Sequence, residues 1–210
     1  MGLGHVQLAM VQAEAAKASY GPWVLNCQAP DEGNMHTLLH WGTPEQKEKY
    51  LRPLCDGTAM SCFAMTEPEV AGSDPTLIRT TAIQDGDEWV VNGHKWFISN
   101  ARRAKFAILI ARTEDNPDLP QAANSAFIVD LPSEGWNRVR EVETMHGATG
   151  HSEIVIEDLR IPNANMLGGR GQGHMLGQYR LGPARLAHCM RWISQAETAL
   201  DLMVGRSLER

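Results

Sequence analysis

Between residues 59 and 159 one short strand-like run follows another with no helical repeat between them, and this pattern constrains the fold most. The runs are 59–65, 77–83, 88–92, 95–99, 106–111, 126–130 and 152–159, each bounded by turn-forming residues. Asp85-Gly86-Asp87 and Asn92-Gly93 read as hairpin turns. A parallel pair needs a crossover of a dozen or more residues, usually a helix, and the stretch holds none. The pattern therefore predicts an antiparallel sheet or barrel of about seven strands, not a doubly wound parallel fold.

Helical spacing flanks this stretch on both sides. Leu3, Val6, Met10, Val11 and Ala15 predict a helix over 3–18, broken by Tyr20-Gly21-Pro22-Trp23. A short helical piece follows over 35–41. Thr43-Pro44-Glu45-Gln46 then combines a capping hydroxyl, a proline at the first helical position and a glutamine that can reach back, predicting a helix to Asp56 that stops at Gly57. Toward the C-terminus, Leu186, Met190, Ile193, Ala196, Ala199, Leu200 and Met203 predict one long helix starting near Pro183. The class is α+β: N-terminal helices over 1–57, a central antiparallel β domain over 58–167 and the start of a helical bundle over 174–210.

Charge and composition exclude several functions. Lys+Arg of 19 against Asp+Glu of 25 gives a net charge of −6, which leaves no broad basic face for nucleic acid. No stretch reaches the roughly 20 apolar residues of a membrane span, and the first ten residues lack the charged and apolar regions of a signal peptide. The expected location is the bacterial cytoplasm or a mitochondrial or peroxisomal matrix. Cys27, Cys55, Cys62 and Cys189 form no C-x-x-C pair, and the eight histidines are scattered, so no metal site is expected.

Two segments can carry chemistry. Met65-Thr66-Glu67-Pro68-Glu69-Val70-Ala71-Gly72-Ser73-Asp74 leaves a strand for a turn rich in hydroxyls and small residues, able to present N–H groups to an anionic or carbonyl-rich ligand. The same composition also suits an ordinary turn. Gly93-His94-Lys95-Trp96-Phe97-Ile98-Ser99-Asn100 places two adjacent aromatics on a strand whose alternation sends one to each face, with the Ser99 hydroxyl on the Phe97 face.

Together these segments resemble the flavin site of the acyl-CoA dehydrogenase family. The resemblance continues through Met145-His146-Gly147, through residues 155–162 and Leu167-Gly168-Gly169-Arg170-Gly171-Gln172-Gly173, and through residues 181–191, where it looks most like the subgroup of members 10 and 11. It implies FAD as cofactor, an acyl-CoA substrate, an electron-transfer flavoprotein or similar acceptor, and a homodimer or homotetramer in the full-length form. Phe63, Ala64, Met65 and Thr66 would lie along the flavin. Ser73 would face both the flavin pyrophosphate and the pantetheine, and Phe97, Ile98 and Ser99 would hold the ring and its N5 edge. Relatives usually carry Trp and often Thr where this chain has Phe97 and Ser99, and its loop is one residue longer near Glu69-Val70 than in short- and medium-chain relatives. Gly182, Pro183, Ala184 and Arg185 match a helix start that contacts coenzyme A, and Arg210 matches an arginine that crosses to a partner's flavin. Without the resemblance, Arg185 reads as a solvated helix charge and Arg210 as an unordered last residue.

Other features are discounted. The glycine-rich 167–173 segment lacks the βαβ setting of a phosphate loop and reads as a connector. His146 and His151 have no third ligand nearby. The resemblance implies that Glu67 and Asp74 are structural partners of the loop and that neither is placed as a base. Dehydrogenation needs a carboxylate to take the α-proton, which the family draws from a C-terminal helical domain, so the chain is expected to be a piece that lacks its base and exposes the apolar stripe of its last helix. Two alternatives stand beside this one: a flavin-dependent oxidase on the same scaffold, and a non-catalytic assembly module.

Overall fold

A computed structural model describes residues 3–115, 118–145, 147–148 and 150–210; His146 and Thr149 lie outside the described residues. Helix α1 (His5–Ala16) starts where the Gln7 side chain accepts from the Gly4 N–H. Its buried side is Gln12, Ala15 and Ala16, whereas Leu3, Val6, Met10 and Val11 are exposed, so of the expected apolar stripe only Ala15 packs inward. A short α2 (Gly21–Val24) leads to α3 (Asp31–Trp41), which buries Leu38. The capping box at Thr43 opens a continuous segment made of α4 (Pro44–Gln46), a π turn (Lys47–Leu51) and α5 (Arg52–Cys55).

Eight strands follow: β1 (Ser61–Ala64), β2 (Thr81–Asp85), β3 (Glu88–Ser99), β4 (Phe106–Arg112), β5 (Asn124–Asp130), β6 (Trp136–Glu141), β7 (His151–Pro162) and β8 (Met166–Leu167). They form one sheet in the order β6-β7-β3-β2-β4-β5-β8, with β1 parallel to β4 and most other pairs antiparallel. Strand β4 is buried on both faces. Phe106, Ile108 and Ile110 pack toward Leu38, Tyr50, Leu54 and Leu176, while Ala107, Leu109 and Ala111 join Trp89, Phe127 and Ile154.

The turn at Gly86 has φ +63° and joins β2 to β3 as expected. Asn92-Gly93 is not a turn: β3 runs through it, and its register against β7 shifts there. Gly93 serves close approach, because a Cβ there would lie 2.2 Å from Thr80 Oγ1.

The last helix, α6 (Gly173–Glu209), has 37 residues and runs about 55 Å. It starts ten residues earlier than expected, with Pro183 inside it. Gly173 sits against the main chain of Asn124 and Ser125, and Leu176 and Arg180 are buried, so tertiary packing carries the helix through the proline. Beyond it, Ala187, Arg191 and Ser194 face inward, whereas Leu186, Ile193, Leu200 and Met203 are exposed. No described helix is long and apolar enough to cross a membrane.

Candidate functional site

The loop after β1 is built onto β3 from beneath. The Trp96 N–H donates to the Thr66 carbonyl at 3.0 Å, and Thr66 Oγ1 donates to the Trp96 carbonyl at 2.6 Å. Under this bridge Lys95 Nζ donates to the Met65 carbonyl at 2.9 Å and to Glu67 Oε1 at 2.8 Å. Glu67 also accepts from the N–H groups of Arg79 and Thr80 and from the Thr80 hydroxyl. Burial pushes the Glu67 carboxyl up, but the charge and hydrogen bond of Lys95 together with the hydrogen bonds from Thr80 and the Arg79 N–H outweigh it and hold the group below the usual carboxylate range. Burial pulls Lys95 down to about 8 against the pull of Glu67, which keeps the pair ionised at neutral pH. Asp74 accepts from Thr76 N–H and Oγ1 and closes the loop, leaving Ser73 exposed. Both carboxylates are thus loop partners.

A β-bulge shapes the second segment. Lys95 pairs with Ile154 and Ile98 with Ser152, so Trp96 and Phe97 together oppose Glu153 alone. The extra residue breaks the alternation. Lys95 and Ile98 are both buried, and the two aromatic rings meet outside the core at 4.8 Å and 64° instead of one on each face. Phe97 adopts φ +53° and is 43% exposed. Its neighbour Ser99 places Oγ 2.9 Å from His151 Nδ1.

Ser99 and His151 border a cleft of about 590 Å³ that Asn100, Arg102, Arg103 and Glu141 also line. Glu141 Oε1 accepts from Arg138 and from Ser152 Oγ, while its buried Oε2 has no protein partner among the described residues. Asn100 closes the second segment singled out in the sequence, whereas Arg102, Arg103 and Glu141 were not foreseen. Arg102 and Arg103 were visible only as loop charges, and Glu141 comes from β6, whose polar sequence gave no strand signal.

The other expected residues lie apart from the cleft. The Phe63 ring packs under the Arg180 guanidinium, 4.1 Å from ring centroid to Cζ. Arg180 also donates to Asn34 Oδ1 and to the Pro30 carbonyl, tying α6 to α3 and β1. Burial lowers Arg180 to about 10, opposed by Asp31, so it stays charged at neutral pH. Ala64 is fully buried. Gly182, Pro183, Ala184 and Arg185 lie within α6, not at its start. The free first-turn amides belong to residues near Gly173, so no helix-start cradle exists at 182–185. Arg185 is exposed, and Arg210 is the exposed C-cap of α6.

The acyl-CoA dehydrogenase N-terminal domain matches residues 1–58, and the acyl-CoA dehydrogenase middle domain matches residues 62–159. The chain belongs to the acyl-CoA dehydrogenase family. Acyl-CoA dehydrogenase family member 11 of Gallus gallus is 40% identical over 99% of this chain and 28% of its own length. A solved Mycobacterium abscessus structure assigned as an acyl-CoA dehydrogenase superposes with a TM-score of 0.93 at 37% identity, covering all of this chain and 52% of that one. Butyryl-CoA dehydrogenase of Megasphaera elsdenii gives 0.82 at 28% identity over 98% of this chain and 52% of its own. The chain therefore spans about half the length of these solved neighbours and about a quarter of the member 11 relative.

Proposed function

We propose that this chain supplies the flavin face and part of the thioester site of an FAD-dependent acyl-CoA dehydrogenase that introduces an α,β double bond into an acyl-CoA. The observation that carries this reading is the bulge at Trp96 and Phe97. It leaves a phenyl ring on the outer face of the sheet, two residues from a hydroxyl at the edge of a cleft. A flat aromatic face, a short hydroxyl and a cleft within the 300–1,000 Å³ range of cofactor sites fit an isoalloxazine. Phe97, Ile98 and Ser99 would hold the flavin, which would supply the acceptor for the hydride leaving the β-carbon of the thioester.

The residues of the chain bind and orient. Phe97 stacks on the ring, while Ala64, Met65 and Ile98 hold the backbone that frames it. Thr66 commits its hydroxyl proton to Trp96, so its oxygen accepts from a ligand N–H. Ser99 Oγ lies 2.9 Å from His151 Nδ1; with the Nδ1–H tautomer the histidine would donate to Ser99 and leave the Ser99 proton for the N5 edge. Ser73 faces the pantetheine and pyrophosphate, Arg185 the coenzyme A phosphates, and Arg210 the flavin of a second copy in a homodimer or homotetramer. Glu67 is bound to Lys95 and Glu69 to His94, and no residue of this chain is proposed as the carboxylate that takes the α-proton. The proposed electron acceptor is an electron-transfer flavoprotein, and the proposed location is the cytoplasm of a bacterium or a mitochondrial or peroxisomal matrix.

Fluorescence titration of FAD with the purified chain tests the reading. Saturable quenching that weakens in Phe97→Ala supports it, and unquenched flavin at every protein concentration overturns it.

A further inference from the structure

His94 lies between two carboxylates. Its Nδ1 is 2.6 Å from Glu69 Oε1 and its Nε2 is 2.9 Å from Glu153 Oε1. Glu69 belongs to the loop that ends at Ser73, His94 to β3 and Glu153 to β7, so one imidazole joins a turn to two strands of the sheet. Around it, β6 contributes Arg140, whose Nε donates to Glu153 Oε2 at 2.5 Å. Lys95, next on β3, is buried on the opposite side with Glu67.

Only an imidazolium can donate to both carboxylates, because a neutral ring has one N–H and one lone pair. Loss of the proton therefore sets a lone pair against a carboxylate oxygen, and one of the two contacts must open. Glu153 is 14% exposed, sits in a strand and keeps Arg140. Glu69 is 44% exposed on a turn. Glu69 is the one released.

We propose that His94 is a positioning residue for the Ser73 loop: protonated, it clamps Glu69 and holds the loop over the flavin face, and deprotonated, it frees the loop. The titration sign agrees. Burial lowers the His94 pKa, but the hydrogen bonds to Glu69 and Glu153 outweigh it and raise it above the ordinary histidine value. The clamp is therefore fully formed below about pH 6.5 and is lost as pH rises through the elevated value.

The functional half of this proposal rests on the flavin reading above, whereas the clamp does not, and the test separates them. Hydrogen exchange of residues 66–74, corrected for intrinsic rates, is measured from pH 5.5 to 9 on the wild-type chain, His94→Gln and Glu69→Gln. FAD affinity is titrated in parallel. The expected result is a loop that exchanges about threefold faster above the His94 titration in the wild type, with flat profiles in both variants. Where FAD binds, its affinity should weaken over the same range in the wild type only. Equal pH profiles in wild type and His94→Gln overturn the clamp. A pH-dependent loop in a chain that never binds FAD keeps the clamp and overturns the flavin reading.

Discussion

Lys95 and Glu67 meet at 2.8 Å beneath the loop, with side-chain exposures of 0% and 1%. The pair also holds the Met65 carbonyl and the amides of Arg79 and Thr80, so it fixes where the loop leaves β1 and where it returns. Removing one partner strands a buried charge. Lys95→Met and Glu67→Gln should each cost about 3 to 5 kcal/mol in urea unfolding, and the double variant should cost less than the sum.

Acid should expose the same pair. The folded Glu67 carboxyl titrates below its unfolded value, so its stabilisation is present above about pH 4.3 and is lost as pH falls through the folded value. Asp31 and Glu32 are pushed up by burial and act in the opposite sense. The quantity to measure is therefore the stability difference between wild type and Glu67→Gln, which should shrink below that pH.

Arg180 ties three elements through Phe63, Asn34 and the Pro30 carbonyl. Arg180→Met keeps much of the volume but removes the donors, and should lower stability by about 3 kcal/mol in the same assay. Arg180→Lys should recover only part of this, since an ammonium lacks the planar fork.

Phe97 should separate stability from binding. Its exposed ring makes Phe97→Ala change stability by no more than about 0.5 kcal/mol, while FAD affinity falls about three- to tenfold. Equal affinities would remove Phe97 from the site.

Pro183 forfeits an amide hydrogen bond in the middle of α6. Pro183→Ala should raise stability by about 1 to 3 kcal/mol, read as a higher urea midpoint at unchanged slope.

How much the sequence revealed depended on how local each cause was. Strand β4 was readable because an unbroken apolar run marks a strand covered on both faces, and the Thr43 cap and Gly86 turn are fixed by adjacent residues. Strand β6 was not: Asn137, Arg138 and Arg140 lie on an exposed edge, where no apolar alternation is required. Gly182-Pro183 misled in the other direction, since a strong local helix-start signal was overridden by the packing of Gly173, Leu176 and Arg180. At the candidate site, both aromatics and Ser99 were visible, but the bulge that sets their direction depends on register against β7. The clamp at His94 joins residues 25 and 59 positions away, which no spacing rule brings together.

The extra residue in β3 makes chain length between Lys95 and Ile98 part of the site's specification. Exchanging Phe97 for another aromatic leaves the outward address intact. Deleting either Trp96 or Phe97 would leave one residue opposite Glu153 and restore a regular pleat, which keeps Lys95 and Ile98 on the inner face but leaves a single aromatic outside where two rings now meet. A single-residue deletion here should therefore spare the Lys95–Glu67 pair and the fold while removing the outward aromatic pair, a contrast that a library of substitutions and single-residue deletions across β3 would read directly.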